Sequence, residues 1–290
     1  MANGGSEKSH TFSFRVTHRD GLARVGEICT PHGLVRTPAF APVGTRGAIK
    51  GMTHRDLVSL DAELLLANTY HLHLRPGAGL VARAGGLNRF IGWKRPILTD
   101  SGGYQVFSLG ARRRIDEEGV SFRSHLDGSL QRLTPESAVE IQGQLGSDIS
   151  MVFDECTSYP VPEATAEASM LRTLRWARRG RSRFVQMRAE LPGEKWTNPG
   201  QVQFGIVQGG VHRELRDTSV RETMAVGFDA YAIGGLSVGE PVEMMYDVVT
   251  HTAHMLPDHQ PRYLMGTGLP EDLVESVARL LDHRIYTFLG

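Results

Sequence analysis

The stretch Ile97-Leu98-Thr99-Asp100-Ser101-Gly102-Gly103-Tyr104 decides the architecture. An apolar pair runs straight into a carboxylate, a hydroxyl and two glycines, so a short buried strand delivers polar groups into one turn. Glycine lets backbone N–H groups approach a ligand closely, and a strand end holds its neighbouring side chains rigidly. A second segment repeats the arrangement: Ile149-Ser150-Met151-Val152-Phe153 leads into Asp154-Glu155. Two carboxylates at strand ends point to acid–base or covalent chemistry.

The same rhythm recurs outward from these two segments. Residues 37–43, 64–70, 203–208, 230–235 and 262–266 read as further strands beside 96–102 and 149–155, and most end in Gly, Asp, Asn or Gln. In a parallel barrel the working groups sit on the loops after the strands' C-terminal ends, which is where these polar residues fall. Helices fit between the strands. Thr53 caps one with Asp56 three residues on, Thr134-Pro135-Glu136 reads as N-cap plus N1 proline, and Leu269-Pro270-Glu271-Asp272 opens another with acids in its first turn. Residues 120–133 alternate and carry Asp127-Gly128, which predicts a hairpin inserted near 112–133 after the third strand. No repeat or linker divides the chain. The expectation is α/β: one TIM (β/α)8-type barrel domain over residues 1–290.

Composition bounds the function. A chain of 290 residues with 40% hydrophobic content buries a large core. Thirty-two Lys plus Arg balance 32 Asp plus Glu, so any nucleic-acid contact must come from a local patch. The densest basic run, Arg172 to Arg183, has Leu171, Leu174 and Trp176 interleaved and reads as a solvated helix face. Two distant cysteines, Cys29 and Cys156, build neither a disulfide framework nor a closed zinc site. The His71-Leu72-His73 pair is a weak metal signal without further spaced ligands. The polar first ten residues and the lack of an apolar run of about 18 residues fit a cytoplasmic protein without a membrane partner.

Several side chains have two readings. Asp100 is either a working carboxylate or an Asx residue tightening a turn, and Asp154 is either a ligand for paired N–H groups or a helix cap. Gln208 offers both donor and acceptor, Gly235 and Leu236 offer backbone groups, and Tyr104 and Met265 are able to sandwich a flat ring or simply to fill rim and core. Gly266-Thr267-Gly268 leading into Pro270 is either a phosphate seat at a helix N-terminus or an ordinary strand-to-helix loop.

Seven segments occur together and in order: Ala41-Pro42-Val43-Gly44-Thr45, Ala67-Asn68-Thr69-Tyr70-His71-Leu72, Thr99 to Tyr104, Phe153-Asp154-Glu155-Cys156, Gly205-Ile206-Val207-Gln208-Gly209-Gly210, Ala232-Ile233-Gly234-Gly235-Leu236-Ser237-Val238-Gly239-Glu240 and Arg262-Tyr263-Leu264-Met265-Gly266. Across roughly residues 12 to 279 the chain resembles the tRNA-guanine transglycosylases of bacterial type, the queuosine-pathway tRNA ribosyltransferases. The resemblance implies exchange of guanine at the tRNA wobble position for a 7-deazaguanine through a covalent ribosyl-enzyme intermediate on a TIM-type barrel. It assigns proton transfer to Asp100 and base binding to Asp100, Ser101, Gly102, Gly103, Tyr104, Asp154, Gln208, Gly234, Gly235, Leu236 and Met265. It assigns RNA contact to Gly266, Thr267, Gly268, Leu269, Pro270, Glu271 and Asp272. Ile49 stands at a pocket position that favours 7-aminomethyl-7-deazaguanine over the larger queuine. Partners implied are tRNA, guanine and 7-deazaguanine bases, and a second copy in a homodimer.

The chain departs from the family pattern at one decisive point. After Glu271 to Arg279, the motif whose second Asp is the covalent nucleophile is replaced by Leu280-Leu281-Asp282-His283-Arg284-Ile285-Tyr286, and an ungapped count puts Ile285 at the nucleophile position. Ile cannot attack a ribose carbon, and Asp282 lies three residues earlier. The expectation is therefore an altered eighth strand, a missing C-terminal zinc subdomain with no zinc bound by this chain, and impaired exchange. A non-catalytic deazaguanine- or tRNA-binding or accessory subunit is the alternative.

Overall fold

A computed structural model of the chain describes residues 11–108, 113–190, 193, 195–279 and the backbone at 283–285. The chain enters through three antiparallel strands, β1 (Ser13–Asp20), β2 (Ala23–Thr30) and β3 (Gly33–Thr37). Sequence reading passed over this sheet, although Asp20-Gly21, with Gly21 at φ 56°, is a hairpin signal. Pro38 has no N–H to donate and separates β3 from β4 (Ala39–Ala41), so the expected strand 37–43 begins two residues late.

β4 opens a parallel sheet. It continues with β5 (Leu65–Ala67) and β6 (Ile97–Thr99), is interrupted by β7 (Arg113–Ile115), β8 (Val120–Arg123) and β9 (Leu130–Leu133), and resumes with β10 (Ile149–Met151), β11 (Val202–Val207), β12 (Ala230–Ile233), β13 (Arg262–Leu264) and β14 (His283–Ile285). The sheet order is β4-β14-β13-β12-β11-β10-β6-β5. A parallel bridge between Val43 and Leu66 brings its two edges together, so eight parallel strands close as a (β/α)8 barrel. Every residue of β5, β6, β10, β11, β12 and β13 is buried, as a parallel sheet covered on both faces requires.

The helices between the strands are α1 (His54–Ser59), α2 (Thr69–Leu74), α3 (Ala78–Arg83), α4 (Leu87–Ile91), α5 (Gly103–Ser108), α6 (Pro135–Leu145), α7 (Glu163–Ala189), α8 (Arg213–Val226), α9 (Val242–Met255) and α10 (Pro270–Val277). The expected caps form. Thr53 and Asp56 make a reciprocal box, and Thr134 accepts from the Ser137 N–H ahead of Pro135. Leu256, Val248 and Val249 of the α9 region join Phe204, Ile206, Ala232 and Leu264 in the main core.

Two antiparallel sheets flank the barrel. β1–β3 packs at the end where the parallel strands begin: Phe12 sets its ring edge-on to Phe204 with centroids 6.1 Å apart, and His32 bonds Asp148 just before β10. β7–β9 is a three-stranded sheet at the opposite end, with the turn at Asp127-Gly128 that the sequence signals. In β14 Ile285 pairs with Ala41. Asp282 lies outside the described residues.

Candidate active site

The observed strands stop one to four residues short of their expected C-terminal ends, and the difference builds the site. After Thr99, Ala67, Met151, Val207 and Ile233 the chain leaves the ladder while still buried, after Leu264 it passes through the half-buried Met265, and the released residues converge over the barrel mouth. They enclose a cavity of about 250 Å³. That volume lies below the range of about 300–1,000 Å³ for drug-sized ligands and suits a single heterocycle.

Asp100 follows β6. Its carboxylate accepts from the Thr69 N–H at 2.8 Å, Gln105 Nε2 at 2.8 Å, the Gly102 N–H at 3.2 Å and Asn68 Nδ2. Gly102 makes its contact at φ 83°, a conformation that favours glycine. All four donors are neutral. Burial therefore outweighs them and pushes the Asp100 carboxyl up to about 6. Asn68 stands at the N-cap of α2 but gives its amide to Asp100 instead of to the helix.

Asp154 follows β10 and accepts from Gln208 Nε2 at 2.7 Å and Ser101 Oγ at 3.1 Å. Burial, with the Asp100 charge adding to it, raises this carboxyl to about 6 against those two bonds. The cavity thus holds two carboxylates poised to exchange protons near neutrality, a perturbation typical of working sites. Gln208 lies on the backbone of Gly235, where an added Cβ would stand 2.1 Å from Gln208 Oε1. Behind them the buried Arg216 donates to the carbonyls of Gly210 at 2.8 Å and Val207 at 2.9 Å, holding the turn after β11.

Of the residues singled out in the sequence, Asp100, Ser101, Tyr104, Asp154, Gln208, Gly234, Gly235, Leu236, Met265 and Gly266 line the cavity. Gly102 and Gly103 stand behind it, one bonding Asp100, the other so close that a Cβ would meet the Asp154 carbonyl at 2.6 Å. Ile49 packs against the second core cluster and is not among the lining residues. In the 266–272 segment, Thr267 is buried with an Oγ1 lacking a partner among the described residues. The first turn of α10 carries Glu271 and Asp272, and the Asp272 carboxylate itself takes the Leu269 N–H at 3.4 Å and the Tyr246 hydroxyl at 2.7 Å. Sequence reading did not single out Asn68, Thr69 and Gln105, the residues that hold Asp100. Their signal was local: two follow a strand end and one sits one helical turn beyond the Asp.

Cys156 also borders the cavity, but burial pushes its thiol up to about 12, so it stays protonated. Cys29 is in β2 on the other side of the barrel, so the cysteines described here do not fit a thiolate zinc site. Among the described residues no group of three or more His, Cys, Asp or Glu is placed to hold a metal, and no helix is long and apolar enough to cross a membrane.

Comparison with known proteins matches this arrangement to one family. The family model described as "Queuine tRNA-ribosyltransferase" matches residues 20–284. Curated relatives of that name include one from Cereibacter sphaeroides, 52% identical over 93% of this chain and 69% of its own length. Another from Pelotomaculum thermopropionicum is 51% identical over 93% and 70%, and one from Thermus thermophilus 52% identical over 93% and 67%. With the family model matching residues 20–284 and half of the residues shared with relatives over 93% of the chain, the chain belongs to the queuine tRNA-ribosyltransferase family.

Proposed function

We propose that the chain is a tRNA-guanine transglycosylase acting in queuosine biosynthesis, a pentosyltransferase that exchanges guanine at the tRNA wobble position for a 7-deazaguanine. The observation that carries this reading is the 250 Å³ cavity with Asp154 and Gln208 on one wall and Asp100 on another. Guanine presents N1–H and N2–H donors beside an O6 acceptor. An ionised Asp154 accepts both donors, and the Gln208 amide or the Gly235 N–H meets O6. Tyr104 and Met265 supply apolar surface for the ring faces. Asp100, with its carboxyl near 6, takes and returns the proton of the exchanged base. The reading includes a single barrel domain, cytoplasmic action and a homodimer.

Exchange with retention at C1′ also needs a carboxylate that attacks the ribose carbon. Asp100 and Asp154 are the carboxylates lining the cavity among the described residues, and both have other roles. Leu264 pairs with Arg284, which puts the backbone of Ile285 level with Met265 at the cavity rim, where that carboxylate belongs. Loss of a covalent nucleophile costs as much as about 10⁶-fold in rate. The test is incorporation of labelled guanine into tRNA, with denaturing electrophoresis for a covalent adduct. We expect saturable guanine binding, exchange orders of magnitude slower than in the relatives, no adduct, and loss of the residual exchange in Asp100→Asn. Exchange at the relatives' rate would hand the attack to another carboxylate, and its loss in Asp282→Asn would identify it.

A further inference from the structure

We propose that the solvent face of the β7–β9 sheet holds the phosphate backbone of the RNA beside the nucleotide whose base enters the cavity. The inference rests on the transglycosylase reading and names a surface for its RNA. Register puts Arg114, Ser121 and Arg132 in one row across the three strands, and Arg123 lies two residues along from Ser121 on the same face. All three arginines are exposed. They border an open concavity of about 850 Å³. The opposite face is apolar, with Val120, Phe122 and Leu133 buried.

The decisive contrast is with α7, which has more arginines. There six of the seven are neutralised, Arg188 in the last turn being the exception among the described residues: Arg172 by Glu155 at 2.6 Å, Arg175 by Glu117 at 2.6 Å, Arg178 by Glu222 at 2.5 Å, Arg179 by Glu136 at 2.8 Å, Arg181 by Asp229 at 3.0 Å and Arg183 by Glu140 at 2.8 Å. On the inserted sheet, Arg114 has no partner among the described residues, and Arg123 donates only to the Gly128 carbonyl at 3.0 Å. Arg132 alone meets a carboxylate, Asp116 at 3.0 Å. The acids of the β7–β8 loop, Glu117 and Glu118, reach away to α7. In a chain of zero net charge, this leaves a local positive field on the insert.

That field stands beside the site. Phe122, on the inner face, packs on Tyr70 with centroids 5.3 Å apart, and Tyr70 follows the Asn68-Thr69 pair that binds Asp100. Arg113 lies over Phe107 at 4.5 Å, and Phe107 packs on the cavity residue Tyr104. β7 and β9 are two strand spacings apart, about 10 Å. Guanidiniums splayed over that span suit successive phosphates of a polymer better than one small anion.

The test compares the full chain with Arg114→Gln/Arg123→Gln/Arg132→Gln and with a paired-arginine control, Arg175→Gln/Arg178→Gln. An unmodified tRNA with wobble guanine is titrated between about 50 and 200 mM salt, and free guanine is titrated by calorimetry. The triple variant is expected to lose roughly tenfold or more in RNA affinity and to flatten the slope of log K against log salt by about 2, one phosphate contact per arginine. Guanine affinity stays as in the unmodified chain, which also reports an intact fold, and the control keeps its RNA affinity. Should the triple variant fail to fold, Arg114→Gln and Arg123→Gln singly are expected to flatten the slope by about 0.7 each. If guanine binds but the triple variant holds RNA like the unmodified chain, or the unmodified chain shows no salt-dependent RNA binding, this surface is overturned alone. If neither guanine nor RNA binds, the function and the surface fall together.

Discussion

One strand, β10, carries a buried aspartate just beyond each of its ends, and the two are opposites. Asp148, before the strand, accepts from the Ile97 N–H at 2.9 Å, the His32 N–H at 3.1 Å and His32 Nδ1 at 2.9 Å. Burial opposes a charge on His32 and the Asp148 carboxylate favours it; the carboxylate prevails and raises the His32 pKa. Asp154, after the strand, has two neutral donors, no cation at hydrogen-bonding distance among the described residues, and a second carboxylate, Asp100, nearby. The first locks the β1–β3 sheet onto the barrel. The second is left short of partners, and that shortfall is what a ligand's N–H groups can fill. The satisfied Asp148 thus marks the end of the barrel that holds, and the under-partnered Asp154 the end that works.

The largest expected effect breaks the comparison at its satisfied end. Asp148→Ala leaves the buried Ile97 N–H and the half-buried His32 donors without an acceptor and should cost about 3 kcal/mol of stability. Guanine affinity of the folded protein should hold. Urea unfolding with calorimetry checks both, and an unchanged midpoint would deny Asp148 its locking role. At the working end, Asp154→Ala should weaken guanine binding by about 1.5–3 kcal/mol, the range for a lost hydrogen bond to a charged group. Equal affinities by calorimetry would remove Asp154 from base recognition.

An effect confined to one pH window sharpens the comparison further. The folded-state carboxyl of Asp154, near 6, lies above the ordinary value of 3.8, so the native chain holds a proton that the unfolded chain has released. Its contribution to stability is fully present below about pH 4 and falls as pH rises through 6. Asp154→Asn should therefore melt like the unmodified protein near pH 4 and be more stable by up to about 3 kcal/mol above pH 7. A difference that stays constant with pH would mean that Asp154 does not carry this penalty.

The barrel strands were legible because an apolar run ending in a polar residue marks a buried parallel strand. Their ends were not. In 149–155 the chain stays apolar through Phe153 while the ladder stops at Met151, and no periodicity marks where pairing gives way to a loop over the mouth. β1–β3 was missed although alternation and Asp20-Gly21 were present, because its residues belong to no strand-end motif. The site's acids, Gln208 and the glycines could be named beforehand, since their chemistry is local to each strand end.

Sequence alone determined which groups are available: two aspartates, an amide and backbone N–H groups on strand ends, an isoleucine at position 285, and two stretches rich in arginine. Tertiary structure decided what state those groups are in. Whether Asp100 and Asp154 sit near 6, whether Asp148 is satisfied by His32 from 116 residues away, and whether Arg178 or Arg114 presents a free charge all depend on partners distant in the chain. Charge and hydrogen-bond energies depend on distance and burial, and these exist only once the chain has folded.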